Sequence, residues 1–464
     1  MSTEHINHNA NRTMVFMGLL ATLGSLLFGY DTGVINGALP YMSRPDQLNL
    51  TPVLEGLVGS AICIGAAIGS FIAGRLSDLY GRKTTLSYLS ILFFLASLGC
   101  TLSLNAEMMI TCRFFLGIAV GGSSVIVPGY LAEIATSKYR GRMVGLMDFV
   151  VVSGQLLAYI VNAIIAITLG HDPNVWRYIL AVTLCPAILL FLGMLIAKES
   201  PRWLVTKGRV HEALSVLKCT HETEAKAIAE LNNIQDLLNE QNTTKEFSFK
   251  DFTEPWMRRI LFIGIALAIT QQITGVNSIM FYGSQILTHS GFSTDAALVG
   301  NVGNGIISVV GSLIGLYIVG KIGRRTMLTI GLCGVFTANI LIGTVSTIME
   351  GSPLLPYFIL SLTVIFLGFQ QSCVSPATWL MIPEIFPTKM RSTAMGITIF
   401  CLWIFNFLVT LVFPILLGIV GISNTFFIFA GLCICSLIFV RTTMPETKHL
   451  SIEDIERKFR NEYK

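Results

Sequence analysis

The chain has 464 residues, of which 53% are hydrophobic and only 12% are charged, with a formal net charge of +4. A soluble domain carries about 25% charged residues, so a chain with half that share would be hard to keep dissolved in water. The composition therefore disfavours soluble enzymes, nucleic-acid binders and disordered scaffolds, and it indicates a surface covered by lipid. The ten cysteines form neither a CxxC pair nor a zinc-like cluster with histidine, so we interpret them as small apolar residues.

In chain order, twelve apolar stretches approach or exceed the roughly 20 residues that a bilayer-spanning helix needs. They are residues 14–38, 53–74, 84–104, 108–132, 143–168, 178–197, 259–286, 294–319, 326–348, 354–381, 393–419 and 423–443. The first follows a short polar N-terminus and lacks a small-residue cleavage site. We therefore expect a retained span there rather than a signal peptide.

A long polar linker, residues 198–258, separates the sixth and seventh spans. Its apolar residues recur at helical spacing, which predicts short amphipathic helices on the cytoplasmic face. Those residues are Ala213, Leu214, Val216, Leu217, Ile228, Leu231, Ile234 and Leu238. At the C-terminus, Ser451 followed by Glu453 and Asp454 predicts the start of a tail helix.

The basic residues predict the orientation, because Lys and Arg are concentrated in cytoplasmic loops. With the N-terminus inside, only Arg44, Arg113 and Arg177 of the 31 Lys and Arg residues lie outside the cytoplasmic segments. We therefore expect a multi-pass protein of the cell membrane with both termini and the linker in the cytoplasm.

Short motifs recur in the two halves of the chain. Gly81-Arg82-Lys83 after span two matches Gly323-Arg324-Arg325 after span eight, and Lys198-Glu199-Ser200 matches Pro445-Glu446-Thr447. We predict an all-α membrane protein of twelve transmembrane helices in two pseudo-symmetric six-helix bundles. The predicted units are an N-terminal bundle, a helical linker, a C-terminal bundle and a cytoplasmic tail helix, at residues 1–197, 198–258, 259–444 and 445–464. Such repeats fit alternating access.

Two charged residues fall inside predicted spans, where a charge is costly and marks a functional candidate. By helical rise, Asp31 in span one and Arg113 in span four lie at similar depth in the outer half. Burial disfavours an ionised carboxyl, whereas a nearby Arg favours it. A site that gains and loses the Arg contact could bind and release a proton. The alternative is a static ion pair that only fixes helix packing.

The chain resembles the sugar porter family of the major facilitator superfamily over nearly its whole length. The first-half motifs are Gly74-Arg75-Leu76-Ser77-Asp78, Gly81-Arg82-Lys83, Arg113, Pro128-Gly129-Tyr130-Leu131-Ala132-Glu133, Arg140-Gly141-Arg142 and Glu199-Ser200-Pro201-Arg202-Trp203-Leu204. The second-half motifs are Gln271-Gln272-Ile273-Thr274-Gly275-Val276-Asn277, Pro383-Glu384-Ile385-Phe386-Pro387, Arg391 and Pro445-Glu446-Thr447-Lys448. The resemblance implies transport of sugars or polyols, in bacteria commonly driven by protons. It also supports a proton-coupling role for Asp31 and Arg113.

A sugar needs partners for many hydroxyls and an aromatic face for its ring. Amide side chains donate and accept at once, and their alternative role here is hydrogen bonding between helices. The substrate-binding candidates are Asp148, Gln155, Gln271, Gln272, Asn277, Ser308, Trp379, Trp403 and Asn406. For Trp379 the alternative is core packing.

Four positions depart from the family pattern, namely Asp148, Phe281, Ser308 and Leu402. Asp148 is the most consequential, because it could accept from hydroxyls, bind a second proton or favour a cationic ligand. Its alternative role is to pair with Arg140 or Arg142. These departures leave a hexose, a pentose, an inositol or another polyol open as the substrate.

Charged residues at the cytoplasmic helix ends resemble the family's gate, whose members pair across the halves when the inside is closed. They are Asp78, Arg82, Glu133, Arg140, Arg324, Glu384 and Arg391. Their alternative role is to set membrane orientation. Gly320 stands where the repeat would place the second-half equivalent of Asp78. The second half therefore lacks this acid, and we expect an asymmetric lock.

Together these features predict a secondary active transporter that imports a sugar or polyol by proton symport through alternating access. The alternatives are a facilitative uniporter of the same fold and a non-transporting membrane sugar sensor. We expect no enzymatic activity, because no nucleophile–base or metal constellation occurs. We also expect no cofactor and no nucleic-acid partner, and a monomer whose partners are the small-molecule substrate, the proton and membrane lipid.

Overall fold

In a computed structural model, the described residues are 10–135, 137–221, 223–243, 254–387, 390–448 and 457. These residues form helices joined by short turns, with no β-strand among them. The all-helical prediction is therefore confirmed. We call residues 10–196 the N-terminal half and residues 255–442 the C-terminal half.

The N-terminal half crosses the bundle six times. Its helices are α1 (Ala10–Met42), α2 (Pro52–Tyr80), α3 (Arg82–Thr101), α4 (Ala106–Ile134), α5 (Ser137–Leu169), α6 (Val175–Ala181) and α7 (Leu184–Ile196). The last two form one crossing, broken at residues 182–183.

The C-terminal half repeats this arrangement. Its helices are α11 (Pro255–Ile273), α12 (Val276–His289), α13 (Thr294–Ile318), α14 (Arg324–Ile348), α15 (Leu355–Phe369), α16 (Ser375–Ile385) and α17 (Arg391–Thr442). Helices α11 and α12 form one broken crossing. A π-helical turn, Gln370–Val374, joins α15 to α16 within another.

Helix α17 makes two crossings. Its 52 residues would extend for about 78 Å at 1.5 Å per residue, more than twice the hydrocarbon thickness of a bilayer. The backbone breaks at Gly421, where φ is 76° and ψ is 176°. Among the described residues, eleven apolar helical segments are long enough to span a membrane, counting a broken crossing as one segment. With the break at Gly421, they account for the twelve predicted crossings.

Three helices form the described part of the linker, α8 (Pro201–Thr206), α9 (Val210–Thr220) and α10 (Glu224–Thr243). They pack on one another around a separate apolar cluster that includes Trp203, Leu217 and Leu231. Ile228, which the helical pattern also predicted to be apolar-facing, is 41% exposed. We call the end of the bundle beside α8–α10 the linker end and the opposite end the far end. The predicted tail helix lies almost wholly outside the described residues.

Helices α2 and α4 pack with their backbones in contact. Arg113 lies in α4 one turn before this contact. A Cβ added at Gly117 would lie 2.1 Å from the Ile62 carbonyl oxygen, and one at Gly121 would lie 2.0 Å from that of Ala66. Small residues four apart permit this approach in membrane helices. The Gly117/Gly121 pair therefore fixes the α2–α4 distance.

We expect Gly121→Ala to lower the free energy of unfolding by about 1–3 kcal/mol, the usual cost of extra atoms in a packed interface. The matched control is Gly129→Ala on the same helix, at an exposed position where an added Cβ meets nothing within 4 Å. The measurement is the thermal unfolding midpoint of the purified protein in detergent. Equal midpoints for the two variants would contradict this packing.

Candidate substrate and proton site

Asp31 and Arg113 form an ion pair inside the N-terminal half. Arg113 Nη2 lies 3.4 Å from Asp31 Oδ2, and Nη1 donates to Oδ1 at 3.5 Å. Each residue is only 1% exposed. Arg113 Nε also donates to the Val58 carbonyl oxygen at 2.7 Å. The ionic contacts are longer than the usual 2.7–2.9 Å, so the guanidinium is held more closely by α2 than by the carboxylate of α1.

The seventh crossing is broken where the predicted amides lie. Gly275 has φ 91°, a left-handed conformation that glycine adopts without strain, and it separates α11 from α12. Gln272, at the end of α11, accepts a hydrogen bond from Asn277 Nδ2 of α12 at 2.5 Å. Gln271 Nε2 donates to Ser375 Oγ at 3.4 Å. Broken helices with polar groups near the membrane midplane are typical of transporter binding sites.

The tenth crossing contributes a second irregular element beside these amides. Ser375 directly follows the π-helical turn Gln370–Val374, a feature that occurs frequently at functional sites. Gln370 is buried in this turn. The sequence analysis missed it, although a glutamine in mid-span was an available signal. One turn further, Trp379 is 42% exposed, so it is not a buried core residue.

A hydrogen-bond network links the two halves at the carbonyl of Met280 in α12. The oxygen accepts from Tyr159 Oη of α5 at 2.9 Å and from Asn36 Nδ2 of α1 at 2.8 Å. Gln155 Nε2 donates to the same tyrosine hydroxyl at 2.8 Å, and Ser284 N donates to Asn36 Oδ1 at 3.1 Å. Neither Asn36 nor Tyr159 was predicted, and a buried Asn in span one was the signal for the former.

Asp148 contacts the other half of the protein. It accepts a hydrogen bond from Ser312 Oγ of α13 at 3.1 Å. The side chains of Arg140 and Arg142 lie outside the described part of the chain, so pairing with them stays a prediction. Ser308, one turn before Ser312, donates to the carbonyl oxygen of its own helix at Asn304.

The two candidates on α17 are buried between helices. The Trp403 ring lies 5.7 Å from the Phe28 ring of α1, measured between centroids. Asn406 Oδ1 accepts from Thr410 Oγ1 at 3.1 Å. Trp403 therefore packs across the boundary between the halves, whereas Asn406 is bonded within its own helix.

The charged residues at the linker end pair within each half. Arg82 contacts Asp78 at 2.9 Å and Glu133 at 3.0 Å, whereas Arg324 contacts Glu384 at 3.0 Å. The described ion pairs at this end therefore stay within their own half, unlike the cross-half pairing that the family gate makes when the inside is closed. The first-half Arg binds two acids and the second-half Arg one, the asymmetry expected from Gly320.

The remaining two predicted gate residues do not form described ion pairs. Arg391 Nε donates to the Phe386 carbonyl oxygen at 3.3 Å, and the side chain of Arg140 is not described. Two carboxylates that were not predicted as gate residues accept hydrogen bonds from backbone N–H groups. Glu199 accepts from the N–H groups of the first two residues of α3, and Glu446 does the same for α14. Helix N-termini favour such anions.

At the far end, direct hydrogen bonds join the halves. Tyr41 Oη of α1 donates to Asp295 Oδ1 of α13 at 2.9 Å, and Tyr282 Oη of α12 donates to the Glu55 carbonyl oxygen of α2 at 3.5 Å. The Tyr282 side chain also lies against Gly59 of α2. The far end is therefore closed, whereas none of the described ion pairs at the linker end joins the halves.

A family model described as "Sugar (and other) transporter" matches residues 17–459. The chain belongs to this family. It is 54% identical over 442 residues to the major myo-inositol transporter IolT of Bacillus subtilis (strain 168). This alignment covers 95% of this chain and 93% of the relative. The sugar porter resemblance and the absence of enzymatic function are thereby confirmed, as is a multi-pass protein of the cell membrane.

Solved structures of the xylose transporter XylE from E. coli share the fold. The partially occluded inward-open conformation gives a TM-score of 0.83 at 26% identity, covering 95% of this chain and 100% of that one. XylE bound to 6-bromo-6-deoxy-D-glucose, described as a proton:xylose symporter of the major facilitator superfamily, gives 0.77 at the same identity, covering 97% and 100%. The predicted major facilitator fold is confirmed.

A double-mutant cycle tests the buried ion pair independently of transport. Asp31→Asn and Arg113→Gln each leave one buried charge without its partner, an effect worth about 3–5 kcal/mol. We expect each single variant to lower the thermal unfolding midpoint in detergent. The double variant should lose much less than the sum of the two single losses, because it buries no unpaired charge. Additive losses would show that the two side chains do not interact.

Proposed function

We propose that this protein imports an inositol-type polyol together with a proton, by alternating access. The observation that carries the proposal is the Asp31–Arg113 pair, a carboxylate and a guanidinium buried together in the membrane with contacts of 3.4–3.5 Å. The 54% identity to a myo-inositol transporter supports the substrate class. The likeness to a structure described as a proton:xylose symporter supports the coupling ion.

The pair couples protonation to helix movement. While Arg113 contacts Asp31, its charge favours the ionised carboxylate. When α1 moves away from α4, a buried carboxylate without its partner is costly, so the protonated form takes over. The two shapes of the N-terminal half therefore differ in proton affinity, which a transporter needs in order to use a proton gradient.

Helix α1 connects the proton site with the substrate site. Asp31 and Asn36 lie on the same helix, and Asn36 donates to the Met280 carbonyl oxygen of α12. Helix α12 also holds Asn277, whose amide bonds Gln272 across the break. A substrate that binds these amides and a proton that binds Asp31 thus act on the same pair of helices.

The amides offer what an uncharged polyol requires. We assign Gln155, Gln271, Gln272 and Asn277 to the substrate hydroxyls, and the exposed Trp379 to the C–H face of the ring. Asp148, which accepts a hydrogen bond from Ser312, keeps further lone pairs for another hydroxyl. Ser308, Trp403 and Asn406 complete the proposed wall of the site.

The linker end is proposed to face the cytoplasm, because the positively charged loops gather there. With the far end closed, the structure is then an inward-facing conformation. Asp78, Arg82, Glu133, Arg324 and Glu384 pair within their halves in this state. We propose that, together with Arg140 and Arg391, they exchange partners across the halves when the cytoplasmic side closes. Partly exposed pairs are worth about 1 kcal/mol or less, so the exchange is reversible.

One observation favours facilitative uniport instead. Both members of the ion pair are 1% exposed, and a pair that stayed permanently buried would serve packing alone. The two functions differ in whether protons move with the substrate.

We expect Asp31→Asn to abolish myo-inositol-dependent acidification of the lumen in proteoliposomes, because the neutral amide cannot carry the proton. Counterflow exchange of labelled myo-inositol should persist, since it needs no net proton transfer. The control is Asp172→Asn, in a far-end turn where the carboxylate caps Asn174 N. Substrate uptake without acidification in the wild-type protein would favour the uniporter, whereas acidification that survived in Asp31→Asn would show that Asp31 is not the proton site.

Removing the amide at the break should weaken binding without affecting membrane insertion. We expect Gln272→Ala to raise the Kd for myo-inositol about tenfold, since a hydrogen bond contributes about 0.5–1.5 kcal/mol and the partner Asn277 is also left free. Asn424→Ala removes an exposed amide of α17 and is the control. Calorimetry on purified protein measures both, and an unchanged Kd in Gln272→Ala would remove it from the site.

A further inference from the structure

A small cavity adjoins the Asp31–Arg113 pair inside the N-terminal half. Its volume is about 10 Å³, and its polar lining consists of Asp31, Arg113, Ser97 and Thr183. These side chains come from α1, α4, α3 and the break between α6 and α7. The cavity is therefore separate from the amides of α11 and α12, and the substrate assignment does not use it.

Three buried polar atoms of this lining make no hydrogen bond to a described protein group. They are Asp31 Oδ2, Arg113 Nη2 and Ser97 Oγ. The first two are in ionic contact at 3.4 Å without hydrogen-bond geometry. Buried polar atoms are nearly always hydrogen-bonded. Ser97 is 2% exposed, so bulk water does not serve it.

We propose that this cavity binds one water molecule. The water donates to Asp31 Oδ2, accepts from Arg113 Nη2 and shares a third hydrogen bond with Ser97 Oγ. A single buried water needs about 10–15 Å³ and two to four polar partners, and the cavity meets both conditions at the lower limit of volume. Ser97 is thus a positioning residue, which holds the water against the carboxylate.

The bound water solvates the carboxylate as the ion pair separates. Because it donates to ionised Asp31, it favours that form and lowers the pH at which the site takes up its proton. This consequence rests on the proposed proton coupling, whereas the water site itself does not. Besides Arg113 itself, the titratable groups facing the pair from neighbouring helices are Cys63, Cys100 and Tyr282. Arg113 is the one that is always charged.

A direct test is a crystal or cryo-EM map of the full-length protein that resolves ordered waters. We expect density within hydrogen-bond distance of Ser97 Oγ and Asp31 Oδ2, and its loss in Ser97→Val, whose added methyl groups fill the cavity. A wild-type map with other ordered waters but none here would overturn the proposal. This result does not depend on whether transport is proton-coupled.

The functional test is the pH dependence of myo-inositol uptake by proteoliposomes. We expect Ser97→Val to raise the pH of half-maximal uptake by about half a unit or more, because the ionised carboxylate loses a donor. The control is Ser90→Val, two turns away on α3, where the buried hydroxyl is satisfied by the Ser87 carbonyl oxygen at 2.7 Å. Counterflow exchange should be retained in both variants.

The outcomes separate the two proposals. An unchanged midpoint in Ser97→Val would overturn the role of the water. If Ser97→Val does not fold, Ser97→Ala removes one partner while keeping the space, and a smaller upward shift is expected. Uptake that is independent of pH in every variant would overturn proton coupling and this role with it, and the map would still decide whether the water is bound.

Discussion

The buried contact between Asp31 and Arg113 is the constraint on which the proposed cycle depends. Separating two charges in a membrane interior costs about 3–5 kcal/mol. This cost would reduce the population of the separated state by about 10²- to 10⁴-fold. A protonated Asp31 carries no such cost. In the proposed cycle, the contact that stabilises the resting bundle therefore disfavours a change of shape while Asp31 is unprotonated.

Breaks in the helices lie at the proposed substrate site. Gly275 divides the seventh crossing and a π-helical turn divides the tenth, and both place amides at mid-bundle. The short helix α12 is bonded through the Met280 carbonyl oxygen to α1 and α5. Because regular membrane helices satisfy their own backbone groups, we propose that these irregular segments are where the protein offers polar groups to a ligand.

The sequence predicted the features that follow from local cost. The spans and the two buried charges are each favourable or unfavourable regardless of what surrounds them. Tyr159 and Gln370 were missed because a buried polar side chain gains its role from partners far away in the chain. The pairing of Arg82 and Arg324 within their halves was also beyond prediction, since one sequence serves every conformation of the cycle.

The central claim is tested most directly by the null point of net flux in proteoliposomes, with the membrane potential held at zero. A tenfold myo-inositol gradient and one pH unit are each worth about 1.4 kcal/mol. If one proton moves with each substrate, net flux should vanish when a tenfold gradient is opposed by about one pH unit. A null point at equal myo-inositol concentrations, whatever the pH difference, would contradict the account.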